Sequence, residues 1–304
     1  MSHRIICFGS INIDHRYDVP HIVFPGETIK SFRYTKFWGG KGLNQALALA
    51  KAGAAVSLAA KINGEHYKEI TLLCEKFGIN CQNISLSNEC TGHAVIQVSQ
   101  QGENCIIVIP GANHTVTDQD IDKVFHCFSK DDILLIQNEI NGLNKIISRA
   151  KLQGYTVVLN PSPYTNDIKA LDLGSVDIVI VNEIEGRQMS GSDNEEQITS
   201  LLRKRYPQMQ ILLTLGERGC VYHGNEGAIY FPAYQTNAID TTAAGDTFTG
   251  YFLAQMAEGK KISEAIPVAA AAAAISVSRV GATESIPDLR EVKMFIDSVK
   301  ADQK

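Results

Sequence analysis

The chain has 304 residues, 44% hydrophobic and 20% charged, enough for a large core in one α/β domain and too apolar for a disordered chain. A formal charge of -5 argues against nucleic-acid binding, which rests on clustered Lys and Arg, so a small-molecule partner is expected. Seven cysteines without a Cys-x-x-Cys pair read as reduced thiols of a cytoplasmic protein, and the most apolar stretch, 268–277 with its six alanines, is too short for a membrane span and reads as an internal helix.

In chain order, the opening Ile5-Ile6-Cys7-Phe8-Gly9 reads as a first strand, too short for a signal peptide's apolar region. Short β-branched runs at 56–60, 133–136, 156–159, 177–181 and 211–214 are bounded by turn residues and alternate with helical patterns. That rhythm predicts βαβ units around a mostly parallel sheet, and runs apolar on both faces demand helices on both sides, giving a three-layer α/β/α sandwich. Segments 27–37 and 91–110 break the rhythm, the second with a Gln100-Gln101-Gly102-Glu103-Asn104 turn typical of a hairpin. Strands without a following helix do not join a parallel sheet easily, so a small accessory sheet is expected, a lid or a dimer surface. Nothing marks a linker, so one domain covers 1–304, with lid strands from about 15–37 and 91–110.

Several segments offer site chemistry, each with a plainer reading beside it. Thr241-Thr242-Ala243-Ala244-Gly245-Asp246-Thr247-Phe248 puts small residues where a helix begins, so free N–H groups there form an anion hole for a transferring phosphoryl group. Asp246 is then a positioned proton acceptor, or merely a first-turn acid that complements the helix dipole. Gly9-Ser10-Ile11-Asn12-Ile13-Asp14 and Trp38-Gly39-Gly40-Lys41-Gly42-Leu43-Asn44-Gln45 offer Asn, Asp and Lys at a strand end and a helix start, suited to a polyol, or are ordinary turns. Neither has the spacing of a dinucleotide fingerprint or a P-loop. Asn182-Glu183-Ile184-Glu185 follows a strand: Glu185 can hold Mg²⁺ through water, or Asn182 is an N-cap followed by first-turn acids. Thr214-Leu215-Gly216-Glu217-Arg218-Gly219 is a nucleotide loop or a plain hairpin turn. His15, His93 and His223 lack neighbours at metal-ligand spacing.

The ordered set resembles the ribokinase, or PfkB, sugar-kinase family along almost the whole chain. The match rests on Gly9-Ser10-Ile11-Asn12-x-Asp14, Pro25-Gly26-Glu27-Thr28, Gly39-Gly40-Lys41-Gly42-x-Asn44-Gln45-Ala46, Gly111-Ala112-Asn113, Asn160-Pro161-x-Pro163, Asn182-Glu183-x-Glu185 and Ala243-Ala244-Gly245-Asp246-Thr247-Phe248. The resemblance implies a ribokinase-like fold and ATP-dependent phosphorylation of a sugar hydroxyl, with ribose leading and deoxyribose, other sugars or nucleosides as alternatives; a non-catalytic sugar-binding regulator is the reading from another class. It implies that Asn12, Asp14, Gly40, Lys41, Asn44 and Glu139 bind the sugar, that Asp246 is the base, and that Ala243, Ala244 and Gly245 form the anion hole. Asn182, Thr214, Leu215, Gly216, Gly219 and Gly245 would face ATP, and Glu185 would organise Mg²⁺. Asp240, Thr242, Ser276, Arg279, Gly281 and Ser285 match positions that enclose an activating monovalent cation, K⁺, mostly through backbone oxygens. A homodimer through the lid is implied, and neither nucleic acid nor membrane is an expected partner. The chain departs from the family pattern at Asn63-Gly64-Glu65-His66-Tyr67, at Ala270 beside the nucleotide, and at Leu43, Trp38 and His93, which are expected to reshape the sugar pocket.

Overall fold

The computed structural model describes residues 3–302. Its strands are β1 (Ile5–Phe8), β2 (Asn12–Val19), β3 (Arg33–Gly39), β4 (Val56–Asn63), β5 (Asn80–Ser87), β6 (Gly92–Ser99), β7 (Asn104–Ile109), β8 (Ile133–Gln137), β9 (Thr156–Asn160), β10 (Ile178–Asn182), β11 (Gln210–Thr214), β12 (Cys220–Gly224) and β13 (Gly227–Phe231). The helices are α1 (Lys41–Lys51), α2 (Tyr67–Lys76), α3 (Asp118–His126), α4 (Leu143–Gln153), α5 (Glu183–Ser190), α6 (Glu195–Arg205), α7 (Ala244–Ala257), α8 (Ile262–Val277) and α9 (Leu289–Asp302).

Nine strands form one sheet in the order β13-β12-β11-β10-β9-β8-β1-β4-β5. Every neighbour pair from β5 to β11 is parallel, and β12 and β13 extend the edge as antiparallel strands. Strand periodicity divides the core. Ile5 and Cys7 of β1 point into the cluster packed by α1, α2, α7, α8 and α9, whereas Ile6 and Phe8 point into the cluster packed by α3, α4, α5 and α6. This is the three-layer sandwich that the doubly apolar runs require.

The alanine run lies in α8, where Ala269, Ala271, Ala272 and Ala274 are buried and small side chains let α8 lie close against α7. No helix among the described residues is long and apolar enough to cross a membrane. The chain leaves β1 for β4 on one side and reaches β8 on the other, so the strand order reverses at β1. Crevices at such a reversal, beyond the carboxyl ends of the strands, are where open α/β sheets bind ligands.

The remaining strands form a separate sheet in the order β3-β2-β6-β7, in which β2 pairs parallel to β6 and antiparallel to β3. Sequence analysis kept Asn12 and Asp14 at the end of the first strand. They instead begin β2, one strand of this small sheet, and most of segment 27–37 before Arg33 is irregular chain.

Candidate active site

β1 ends at Phe8, and Gly9 and Ser10 carry the chain across the sheet's carboxyl edge to β2. A Cβ at Gly42 would collide with the backbone of Gly9 and Ser10, so glycine there lets the start of α1 rest directly on this crossing. Ser10 O accepts the Leu43 N–H at 3.0 Å. The Ser10 hydroxyl donates to Glu139, whose Oε2 also accepts the Lys41 N–H at 3.0 Å. A carboxylate at the N-terminus of α1 complements the helix dipole there.

Helices α1 and α7 are pressed together at Gly250, where a Cβ would meet the Ala48 methyl and the Leu49 amide. That contact aligns two side chains of α1 with one of α7. Asp246 is buried, with Oδ2 accepting from Asn44 Nδ2 at 3.0 Å and Oδ1 from Gln45 Nε2 at 2.8 Å. Gln45 is itself held by Gln137, which donates to its Oε1 at 2.7 Å, and Gln45 Nε2 also reaches Asn160 Oδ1 at 3.0 Å. The carboxylate is therefore fixed by amides and keeps lone pairs for one more donor. Asn44 Oδ1 is buried without a partner among the described residues, an acceptor left over for a ligand hydroxyl.

The start of α7 is unusual. Ala243 precedes it in the left-handed region at φ 59°, a conformation costing an L-residue about 1–2 kcal/mol. The first helical bond runs from Thr247 N to Ala243 O, so the N–H groups of Gly245 and Asp246 have no partner among the described residues. Nothing lies within 4 Å of where a Gly245 Cβ would stand, so this turn opens onto the cleft. Strain of this kind persists where surrounding structure over-determines it, often at functional sites.

The small sheet faces this arrangement. Register puts Asn12, Asp14 and Arg16 of β2 in one row with Gly92, Ala94 and Ile96 of β6. Asn12 Oδ1 accepts from Asn113 Nδ2 at 2.8 Å, and Asn113 Oδ1 accepts the Ile11 N–H at 3.0 Å, which fixes the root of β2. Burial, with Glu139 and Asp246 nearby, lifts Asp14 from 3.8 to about 7. Burial also works against the Lys41 ammonium, but Asp246, Glu139 and Glu185 outweigh it and raise its pKa above the ordinary lysine value. Asp14, Lys41, Glu139, Asp246 and Glu185 thus act on one another across a single cleft.

At the ends of β10 and β11 the plainer readings are realised in the geometry. Asn182 caps α5, accepting the Glu185 N–H at 2.9 Å while Glu185 Oε2 accepts the Asn182 N–H at 3.1 Å. That reciprocal cap uses one oxygen of the buried Glu185 carboxylate. The segment from Thr214 through Leu215, Gly216 and Gly219 is a short turn joining β11 to antiparallel β12, beside Asn182, which pairs with Thr214.

The six positions implied for a monovalent cation come together where loop 232–243 meets the end of α8. Asp240 Oδ1 accepts the Thr242 N–H at 2.9 Å, and its Oδ2 accepts the Gly281 N–H at 3.1 Å. The Ser276 and Ser285 hydroxyls lie 3.0 Å apart, and Arg279 is drawn aside to Glu291 at 2.6 Å. The locale is rich in oxygen, with Arg279 neutralised by Glu291 and the Arg16 guanidinium 3.8 Å from Asp240 Oδ2, and its oxygen donors are of the kind that fits a hard cation.

The three substitutions expected to reshape the sugar pocket do not line it. Leu43 is fully buried in the core under α1. Trp38 and His93 stand on the opposite face of the small sheet from Asp14, because strand side chains alternate: Trp38 donates to Glu69 at 2.9 Å, and His93 meets the ring of His15. Ala270 is half-buried against the core. Sequence reasoning gave no role to Gln45, Gln137, Ser10 and Asn113. Ser10, Gln45 and Asn113 lie inside the quoted motifs, and Gln137 is a polar residue closing an apolar strand at the ligand edge, a signal available in the sequence.

A family model described as pfkB family carbohydrate kinase matches residues 2–289. The chain is 35% identical to a ribokinase of Haemophilus influenzae over 98% of this chain and 99% of that one. It is 29% identical to a deoxyribokinase of Salmonella typhi, over 89% and 91% of the two chains. The structure of Arabidopsis thaliana ribokinase complexed with ribose and ATP superposes with a TM-score of 0.84 at 30% identity, covering 97% of this chain and 99% of that one.

Proposed function

The chain belongs to the pfkB family of carbohydrate kinases, and from that premise we propose that it transfers the γ-phosphoryl group of ATP to D-ribose, giving D-ribose 5-phosphate. The observation that carries this reading is the pairing of a buried, amide-fixed Asp246 carboxylate with the open N–H groups of Gly245 and Asp246 at one helix start.

The sugar lies between the small sheet and the sheet edge, with hydroxyls shared among Asn12, Asp14, Lys41, Asn44 and Glu139 and its ring passing close to the Gly40 backbone. Its terminal hydroxyl oxygen forms a bond to the γ-phosphorus as the bond from phosphorus to the ADP oxygen breaks, and the proton passes to Asp246. Proton loss is late in such a transfer, so a positioned acceptor matters more than a strong base. The Ala243-Ala244-Gly245 turn, with the dipole of α7, stabilises charge on the phosphoryl oxygens. Asn182 and the turn from Thr214 to Gly219 face the nucleotide.

Glu185, through its oxygen not used in the cap, would hold Mg²⁺ by way of water, and the oxygens around Asp240, Thr242, Ser276, Gly281 and Ser285 would hold K⁺. Bound there, the two cations supply positive charge that offsets that of the phosphates. Two chains associate through the small sheet, and the seven free cysteines suit the cytoplasm.

Turnover with ATP, Mg²⁺ and K⁺ across ribose, deoxyribose, other pentoses, hexoses and nucleosides tests the acceptor. Ribose is expected to give the highest kcat/KM, and no turnover of ribose would overturn the assignment. Preference for deoxyribose, the substrate in the name of one relative, would move it within the family. Asp246→Asn should lower kcat about 10²–10⁴-fold while sparing sugar binding. Sugar binding without phosphate transfer to any acceptor by the native chain would favour the regulator.

A further inference from the structure

Arg16 stands on β2 in the same row as Asn12 and Asp14, one same-face step beyond Asp14. Its guanidinium bonds Asp18 of its own strand at 2.8 Å and reaches Asp240 Oδ2 at 3.8 Å on the opposite side of the cleft. Among the described residues this is the one ion pair that joins the small sheet to the rest of the molecule. The sheet's other polar ties, from Asn113 to Asn12 and from Trp38 to Glu69, lie at its root.

At that root two strands of the sheet end or begin at glycines packed closely against their neighbours. β3 ends at Gly39, and Gly40 follows with φ 91°, a conformation open to glycine. β6 begins at Gly92, which pairs with Asn12. A small sheet tied to the rest of the molecule mainly at this root, with proposed sugar contacts on its inner face, gains a further hold from the contact of Arg16 with Asp240 farther along β2.

Asp240 is a firm anchor for that purpose. Its carboxylate is bonded to the N–H groups of Thr242 and Gly281, and it stands just before the turn that presents Gly245 and Asp246.

We propose that Arg16 is a positioning residue, a latch that fastens the β2-bearing sheet over the bound sugar by pairing with Asp240. The proposal rests on the reading of this cleft as the sugar site. An equilibrium between open and closed sheet lowers apparent sugar affinity by the fraction that is closed. A partly exposed ion pair shifts such an equilibrium by a few-fold at most, so the effect is modest and confined to the ligand that the sheet covers. ATP, bound at the ends of β10 and β11, should not feel it.

Calorimetric sugar binding and steady-state kinetics on Arg16→Gln and Arg16→Lys test this. In Arg16→Gln the dissociation constant and KM for the sugar should rise about threefold to fivefold, with kcat and the KM for ATP within twofold of native and the melting temperature unchanged. Arg16→Lys, which keeps the charge, should recover much of the loss. Tetramethylammonium chloride, added to raise ionic strength, should weaken sugar binding in the native protein and leave Arg16→Gln nearly unaffected. An unchanged sugar dissociation constant in Arg16→Gln, or a loss falling on kcat and ATP instead, overturns the latch. Failure of the native protein to phosphorylate any sugar would sink the kinase reading separately, because the binding measurement needs no turnover.

Discussion

Asp14 shows at the level of one side chain how this site trades stability for binding. It faces Glu139 and Asp246 from β2, and burial, with the repulsion of those two carboxylates, raises its pKa from 3.8 to about 7. The folded protein therefore keeps the Asp14 proton up to about pH 7, whereas the unfolded chain releases it near 4. Between those values the folded state binds more protons, so raising the pH through this window weakens folding, and above pH 7 the loss is complete. In the proposed sugar site, hydroxyls would donate to the charged form, which is the form that folding disfavours. Asp14→Asn should raise the melting temperature at pH 8 and leave it nearly unchanged at pH 4, while removing most sugar affinity. Native sugar affinity should fall as the pH drops below about 7. A stability change of equal size at pH 4 and pH 8 would show that the carboxylate charge is not its source.

At the level of elements, the site depends on how closely α1 lies against α7. Asn44 and Gln45 reach Asp246, 202 and 201 residues away, because Gly250 admits the Ala48 methyl and the Leu49 backbone. Gly250→Ala should force the helices apart, cost about 1–3 kcal/mol of stability, and lengthen the bonds that fix the base. We expect kcat to fall at least tenfold with KM for ATP little changed. Removing the opposing methyl with Ala48→Gly should restore part of both, since the two residues share one contact. Unaltered kcat in Gly250→Ala, measured by initial rates, would show that the packing does not govern the carboxylate. This dependence also explains what the sequence disclosed. Strands such as Ile133–Gln137 and the helix after Asp246 were legible because apolar periodicity and small residues are local signals. Gln45 was quoted in a motif yet given no part, because its bonds to Asp246, Gln137 and Asn160 exist only once α1, α7, β8 and β9 have assembled. Leu43, Trp38 and His93 were misplaced for a related reason. Neighbours of a site residue along the chain point elsewhere on a helix or strand, so adjacency in sequence is poor evidence of adjacency in a pocket.

At the scale of the whole molecule, the small sheet has two faces with different demands. The inner row carries Asn12, Asp14 and Arg16, while the outer face carries His15, Tyr17, Tyr34, Lys36, Val95 and Ile107. Tyr34 of β3 and Ile107 of β7 are more than half exposed, and the edge strand β7 also exposes Ile106 and Val108. An edge strand with a run of exposed apolar residues invites pairing with another chain, and natural sheets usually blunt such edges with charge. A second copy of the same sheet can cover this surface by a two-fold contact in which each patch meets its equivalent. Ile107 is the residue to test, since it lies on the face away from Asp14. A negative charge there spares the sugar contacts and leaves an unpaired carboxylate in any interface that forms. Sedimentation over a range of protein concentrations should give the mass of two chains for the native protein and of one for Ile107→Glu, with the isolated variant retaining its fold by circular dichroism. A native protein that stays at the mass of one chain throughout, or a variant that still pairs, would move the contact away from this face. Because the proposed interface and the proposed sugar site are on opposite sides of one thin sheet, separation should also loosen that sheet. Ile107→Glu is accordingly expected to raise the sugar KM by a few-fold while leaving the KM for ATP unchanged.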